Sequence, residues 1–290
     1  MFHLNSFYLR LLYNLYMNKK KLNLNQLIIG AILIFLLFVF LILMLNRKPE
    51  EVIIQEPIEQ VSADIDFSKL KIFKDRYYYE DNHYTSSFGI DVSTFQEHID
   101  WKKVKDDGVE FVFIRIGRRG ATTGLLYEDD MFEKNYEGAR NNNIKVGIYF
   151  FSQALNTKEA IQEADWVINH LKGKEIDFPI VYDCEEVYLE EESSRIETLT
   201  KQQLTANALA FFKRLEEHGH QGILYTNQNW ADEFIHMDSL QKYPIWFAQY
   251  DVDKPSLDYP IFMWQYSDKG IIDGIDYPVD LNIMFIKKVQ

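Results

Sequence analysis

Four carboxylates stand out by position: Asp91 in FGIDVS, Asp183 and Glu185 in FPIVYDCEE, and Asp280 in YPVDLN. Each follows or ends a short apolar run that reads as a strand. In a strand, residues two apart share a face, so Asp183 and Glu185 point together and Cys184 points away. Two neighbouring carboxylates cannot both ionise cheaply, so one keeps its proton toward neutrality. Such a pair suits acid catalysis of bond cleavage. The protonated member donates to a leaving oxygen, and the charged member stabilises positive charge that develops on the substrate. A single Asp at a strand end is more commonly a cap or a surface group. Four in the same relative place point to a common site. Cys184 has no evident His partner for nucleophilic work and reads as buried filler.

The elements that must bring these acids together follow from the hydrophobic pattern. Apolar runs predict strands at Phe88–Val92, Glu110–Ile116, Lys145–Phe151, Pro179–Asp183, Gly222–Thr226, Pro244–Ala248, Ile261–Gln265 and a short last one at Val279–Leu281. Between them, amphipathic stretches predict helices at Trp101–Asp106, Asp130–Asn142, Thr157–Leu171 and Thr200–His218. Asn156 or Thr157 starts the third helix, and Gly219 stops the fourth. Alternating strands and helices imply parallel βαβ units. Eight strands in so short a stretch predict an α/β fold, an irregular, trimmed TIM-like (β/α) barrel whose active site lies at the carboxyl ends of its strands. The alternative is an open doubly wound sheet, which lacks here its Gly-rich first turn. The run Gly117-Arg-Arg-Gly120-Ala-Thr-Thr-Gly124 fits no nucleotide-binding pattern and reads as a flexible loop.

Composition narrows the function classes. The chain has 290 residues, 47% hydrophobic and 15% aromatic, enough to bury a large core. Its net charge is −13, unevenly spread. Residues 1–48 hold six Lys or Arg and no acid, which leaves 25 basic against 44 acidic residues beyond them, a charge of −19. A body so acidic repels nucleic acid. One cysteine excludes an internal disulfide, and the seven histidines show no HExxH or other metal-ligand spacing.

The basic amino-terminal segment has its own reading. Leu27–Leu45 is an uncharged, proline-free apolar run of about 20 residues, the length of a membrane span. Lys19, Lys20 and Lys21 before it favour a cytoplasmic amino terminus. A cleaved signal peptide is the rival, but its apolar region is shorter and ends in a small-residue cleavage site absent here. The expectation is a cytoplasmic tail at 1–26, an uncleaved single-pass anchor at 27–45 and a stalk or linker at 46–85. The barrel, at 86–290, would then stand outside the cytoplasm. Met17 is an alternative start. PEEVIIQEPIEQVSADID reads as stalk, whereas the aromatic FSKLKIFKDRYYYEDN could fold back onto the barrel.

With these runs in hand, the chain resembles glycoside hydrolase family 25, the lysozymes of the Chalaropsis and phage-endolysin type. The resemblance is carried by FGIDVSTFQEHIDWKKVKDDGVEFVFIRIGRRG, DDMFEKNYEGARNNNIKVGIYFFSQA, FPIVYDCEE, LYTNQNW, IWFAQY and MWQYSDKGIIDGIDYPVDLN, in family order. It implies cleavage of the β-1,4 bond between N-acetylmuramic acid and N-acetylglucosamine in peptidoglycan, without a cofactor, by a monomer. It further implies Glu185 as general acid, Asp183 as the partner of the substrate's acetamido group, and Asp91 and Asp280 as supporting acids. Whether a carboxylate or the acetamido oxygen attacks the anomeric carbon stays open, the DxE spacing favouring the acetamido oxygen. Tyr149, Tyr225, Trp246 and Trp264 in these motifs are candidate groove aromatics. Arg115, a charge inside an apolar strand, needs a buried partner, expected to be an active-site carboxylate or a backbone carbonyl. The acidic stretch at 186–197 is placed near the mouth, where it would repel or select substrates. Two other readings stand beside the muramidase: a wall-binding protein with weak or no turnover, and a hydrolase of another N-acetylglucosamine polymer.

Overall fold

The computed structural model describes residues 24–45, 65–187 and 193–288. The chain divides into two units, residues 1–51 and 52–290. The first contains helix α1, Leu24–Leu45, 22 residues with no charge in its first or last turn. Its length is about 33 Å at the usual rise per residue. Side chains are described over residues 28–39, where Ile28, Ile29 and Ile32 to Phe38 are all exposed. Among the described residues, no helix is long and apolar enough to cross a membrane. The tail before residue 24 and the stalk over 46–64 lie outside the described residues.

In the second unit a 3-10 turn at Phe67–Lys69 precedes a hairpin of β1 (Lys71–Phe73) and β2 (Arg76–Tyr78). There follow β3 (Tyr84–Val92), α2 (Trp101–Asp106), β4 (Phe111–Arg119), β5 (Leu126–Glu128), α3 (Phe132–Asn141), β6 (Lys145–Phe151), α4 (Thr157–His170), β7 (Ile180–Asp183) and α5 (Lys201–Glu217). The chain then continues through β8 (Gly222–Asn227), a π-helical turn at Trp230–Phe234, α6 (Met237–Leu240), β9 (Ile245–Ala248), β10 (Met263–Gly270) and β11 (Val279–Lys287). Asn156 caps α4 as expected, its Oδ1 accepting from the Glu159 N–H at 3.1 Å, and Thr200 caps α5, its Oγ1 accepting from the Gln203 N–H at 3.2 Å. Gly219, with φ 79°, follows the end of α5.

Eight strands close on themselves in the order β3, β4, β6, β7, β8, β9, β10, β11, with β5 paired to the outer edge of β4. From β3 round to β10 every pairing is parallel; β11 is antiparallel to both β10 and β3. This corrects the expectation of uniform βαβ units. Only a short loop joins β10 to β11, too short for a parallel return. Barrel closure gives each strand two buried faces. One packs on the helices, through residues such as Ile90, Val112, Ile148 and Tyr182. The other fills the barrel with Phe111, Phe113, Phe178, Val181, Ile223, Trp246, Met263 and Met284. Gly89 and Gly147 leave room for two of those rings: a Cβ on Gly89 would lie 2.4 Å from the Phe111 ring, and one on Gly147 2.3 Å from that of Phe113.

One boundary is sharpened and one differs from the sequence reading. The β1–β2 hairpin packs on the outside of the barrel, Tyr77 against Trp264 and Tyr79 against Phe285, so the aromatic end of the 46–85 segment does fold back onto the barrel. And Gly117, Arg118 and Arg119, read as loop, complete β4. Arg119 is buried and donates to Glu163 Oε1 at 2.6 Å, a partner 44 residues away that no local pattern reveals.

Candidate active site

The carboxyl ends of the parallel strands surround a cavity of about 270 Å³. Its lining includes Asp91 from β3, Arg115 from β4, Tyr149 from β6, Asp183 and Glu185 from the end of β7, Tyr225 from β8, Trp246 from β9, Gln265 from β10 and Asp280 from β11. The four carboxylates separated by up to 189 residues in sequence thus face one space. Asp280 reaches it differently from the others. It stands near the start of β11, not at a carboxyl end, and only the reversed direction of that strand brings it to the mouth, directly opposite Asp91 in the ladder.

Strand alternation sorts the DCE triplet as expected. Val181 and Asp183 face inward, while Tyr182 and Cys184 pack toward the helices. The strand's end is held from two directions. The Ser152 N–H donates to the Asp183 carbonyl at 2.7 Å, and Gln153 Nε2 donates to the Glu185 carbonyl at 2.9 Å. Ser194 Oγ in turn donates to Gln153 Oε1 at 2.8 Å, which fastens the described part of the acidic loop. Residues 188–192 of that loop lie outside the described residues.

Burial dominates the electrostatics. It pushes Asp183 well above the usual carboxylate range, and the neighbouring charges of Glu185 and Asp91 push the same way. Among the described residues, none donates a hydrogen bond to the buried Asp183 Oδ1. Glu185 is raised to about 7 by burial, against the donor Asn227 Nδ2, 3.3 Å from its Oε1. Asp91 is raised to about 6 by burial, opposed by Nδ2 of Asn282 and Nε2 of Gln265, each donating to Oδ2 at 2.8 Å. Asp280 rises to about 9 through burial and the nearby Asp91. At neutral pH the cluster therefore carries fewer charges than carboxyl groups, and Asp91, the acid with two amide donors, is the most readily ionised of them.

Asp91 is the hub of a network that sequence reading missed. Trp246 Nε1 donates to Asn282 Oδ1 at 2.8 Å, and Asn282 donates to Asp91. The hydroxyls of Tyr225 and Tyr250 donate to Gln265 Oε1 at 2.8 and 2.6 Å, and Gln265 donates to Asp91. Tyr225 and Trp246, expected as groove aromatics, line the cavity but are largely buried and spend their polar atoms in this network. The signals available were the amides inside quoted motifs: Gln265 in MWQYS, Asn282 in DLN and Asn227 in LYTN.

Two expectations need correction. Trp264 is fully buried on the outer face of β10, its Nε1 donating to the Gln249 carbonyl at 2.9 Å and its ring against Tyr77 and Tyr266. The residue of that strand that faces the cavity is Gln265, its neighbour. Arg115 lines the cavity but pairs with Asp129, Nη2 at 2.7 Å and Nε at 2.8 Å, an acid absent from the expected set.

Residues 90–275 match the sequence model of the family described as glycosyl hydrolases family 25. The chain is 31% identical over 194 residues to the autolytic lysozyme of Clostridium acetobutylicum, covering 67% of this chain and 54% of that one. It is 30% identical over 203 residues to lysozyme M1 of Streptomyces globisporus, covering 67% and 66%. The chain thus spans about half the length of the clostridial relative. Among solved structures, a family 25 glycosyl hydrolase from Bacillus anthracis superposes with a TM-score of 0.58 at 25% identity, over 73% of this chain and 94% of that one.

Proposed function

The chain belongs to glycosyl hydrolases family 25, and from that premise we propose that it is a muramidase, cleaving the β-1,4 bond between N-acetylmuramic acid and N-acetylglucosamine in peptidoglycan. The observation that carries this reading is the pair Asp183 and Glu185 on one face at the bottom of an acid-lined cavity, with Glu185 raised to about 7. A carboxyl with that proton affinity is half protonated near neutrality, which suits a general acid. Glu185 protonates the glycosidic oxygen as the bond breaks. Asp183 accepts from the acetamido N–H of the sugar in the cavity. When ionised, it stabilises the positive charge spreading from the anomeric carbon into the acetamido group. Asp91, locked by its two amide donors, and Asp280 line the same sugar's site.

Purified full-length chain, kept in detergent, is incubated with sacculi, and the soluble products are reduced with borohydride. Mass spectrometry should find reduced muramic acid at the new ends, and Glu185→Gln should lower the rate by about 10²–10⁴-fold. Products ending in reduced glucosamine, or full activity in the variant, would overturn the assignment.

The proposal includes a membrane anchor. Its support is the amino-acid sequence: the uncharged apolar run Leu27–Leu45, preceded by three consecutive lysines and followed within a few residues by an acidic segment. Extraction of cell membranes separates the outcomes: an anchored chain stays with the membrane in alkaline carbonate and leaves it only in detergent, whereas a peripheral one is released by carbonate.

A further inference from the structure

The cavity contains a feature that the catalytic reading does not use. Phe95 lines its rim yet is 71% exposed, far more than Tyr225 at 8% or Trp246 at 2%. Its backbone is not loose. It sits in a one-turn helix, Thr94–Gln96, closed by a capping box: the Phe95 N–H donates to Ser93 Oγ at 3.3 Å and the Ser93 N–H to Gln96 Oε1 at 2.9 Å. Gln96 Nε2 ties the turn to the Pro278 carbonyl across the mouth at 3.1 Å. Glu97, directly after it, takes φ 51°, a conformation costly for a non-glycine residue that persists only where the surroundings enforce it.

The buried Asp129 ties this turn to Arg115. Its Oδ2 accepts from the Thr94 N–H at 3.1 Å and from Arg115 Nε at 2.8 Å. The pinned guanidinium lies over the Phe95 ring, 5.1 Å from its centre. One ring face is thus backed by a fixed cation, and the ring is presented at the rim of the acid-lined cavity. A rigidly held apolar ring left so exposed is costly in water, and its flat face matches the C–H face of a pyranose. The cation behind it is held in place by Asp129.

We propose that Phe95 is a stacking platform for an N-acetylhexosamine ring in the subsite next to the sugar held over Asp183 and Glu185, and that Arg115 and Asp129 are positioning residues for it. The proposal rests on the glycan-cleaving reading of the cavity for its ligand class. It also explains Arg115 better than a direct pairing with a catalytic acid does.

The test uses full-length chain carrying Glu185→Gln, so that ligand survives, titrated calorimetrically with a tetrasaccharide of alternating N-acetylglucosamine and N-acetylmuramic acid. Phe95→Ala and Phe95→Leu should each weaken binding about tenfold, while Phe95→Trp, which keeps a flat ring, should bind like the parent. Melting temperatures should match throughout, because the side chain is exposed. Leu equal to Phe would show that apolar area, not a ring face, is what matters, and would overturn the platform; so would Ala equal to Phe. An absence of binding in the Phe95 parent would overturn the platform together with the substrate reading. Glu185→Gln that still cuts the tetrasaccharide would sink the acid assignment, and the Phe95 series is then read on unaltered Glu185 as KM for the tetrasaccharide, where Phe95→Ala and Phe95→Leu should raise KM about tenfold and Phe95→Trp should leave it unchanged.

Discussion

Asn227 offers the sharpest handle on the proposed acid. Its Nδ2 donates to Glu185 Oε1 at 3.3 Å, and its Oδ1 accepts from the Trp230 N–H at 2.9 Å. The first bond favours the ionised form of Glu185 and partly offsets the burial that raises it to about 7. A hydrogen bond to a charged group contributes about 1.5–3 kcal/mol, and at this length the lower end applies. One pKa unit corresponds to about 1.4 kcal/mol, so Asn227→Ala should raise Glu185 by about one unit. A general acid works while protonated, so the alkaline limb of kcat/KM should move to higher pH by that amount. Asn227→Asp keeps the acceptor for Trp230 but adds a charge beside Glu185, and should move the limb further. The assay is the initial rate of release of dye-labelled fragments from sacculi across pH, at substrate well below KM. Loss of the Trp230 bond should cost Asn227→Ala about 1 kcal/mol of stability, and Asn227→Asp less, which separates folding from titration. An alkaline limb that stays put, or moves to lower pH, would refute Glu185 as the acid that sets it.

Further outcomes follow from the same structure. Asp91, Glu185 and Asp280 are all raised, to about 6, 7 and 9, so the native state binds more protons than the unfolded chain between the ordinary carboxylate range and about pH 9. Their contribution to stability is full below the unfolded values and is lost as pH rises through the folded ones. Asp280→Asn should therefore raise the melting temperature at pH 8 much more than at pH 4, by calorimetry; equal shifts at both would contradict the buried cluster. Arg119→Met strands Glu163 in the interior and should cost about 3–5 kcal/mol in urea unfolding, whereas a surface pair such as Lys102 with Asp106 should cost under about 1 kcal/mol. Trp264→Ala should lower stability by about 3–5 kcal/mol while the folded enzyme keeps its KM, since the ring packs outside the barrel; a raised KM at unchanged stability would return Trp264 to the groove.

Much of this protein can be read locally. Alternation with a period of two settles that Asp183 and Glu185 share a face and that Cys184 opposes them, because it follows from strand geometry alone. The apolar runs and caps locate the eight barrel strands and the long helices, since 3.6-fold and two-fold periodicity differ over a few residues. Three features are decided only by tertiary structure. A barrel strand is buried on both faces, so its apolar pattern does not say which face is interior; the choice between Trp264 and Gln265 depends on closure. The direction of β11 depends on the short connection from β10, and that direction brings Asp280 to the mouth from the start of its strand. And the partners of Arg115, Arg119 and Asp91 lie 14 to 191 residues away. Local pattern demands that a buried charge be paired, but only the folded chain says with what.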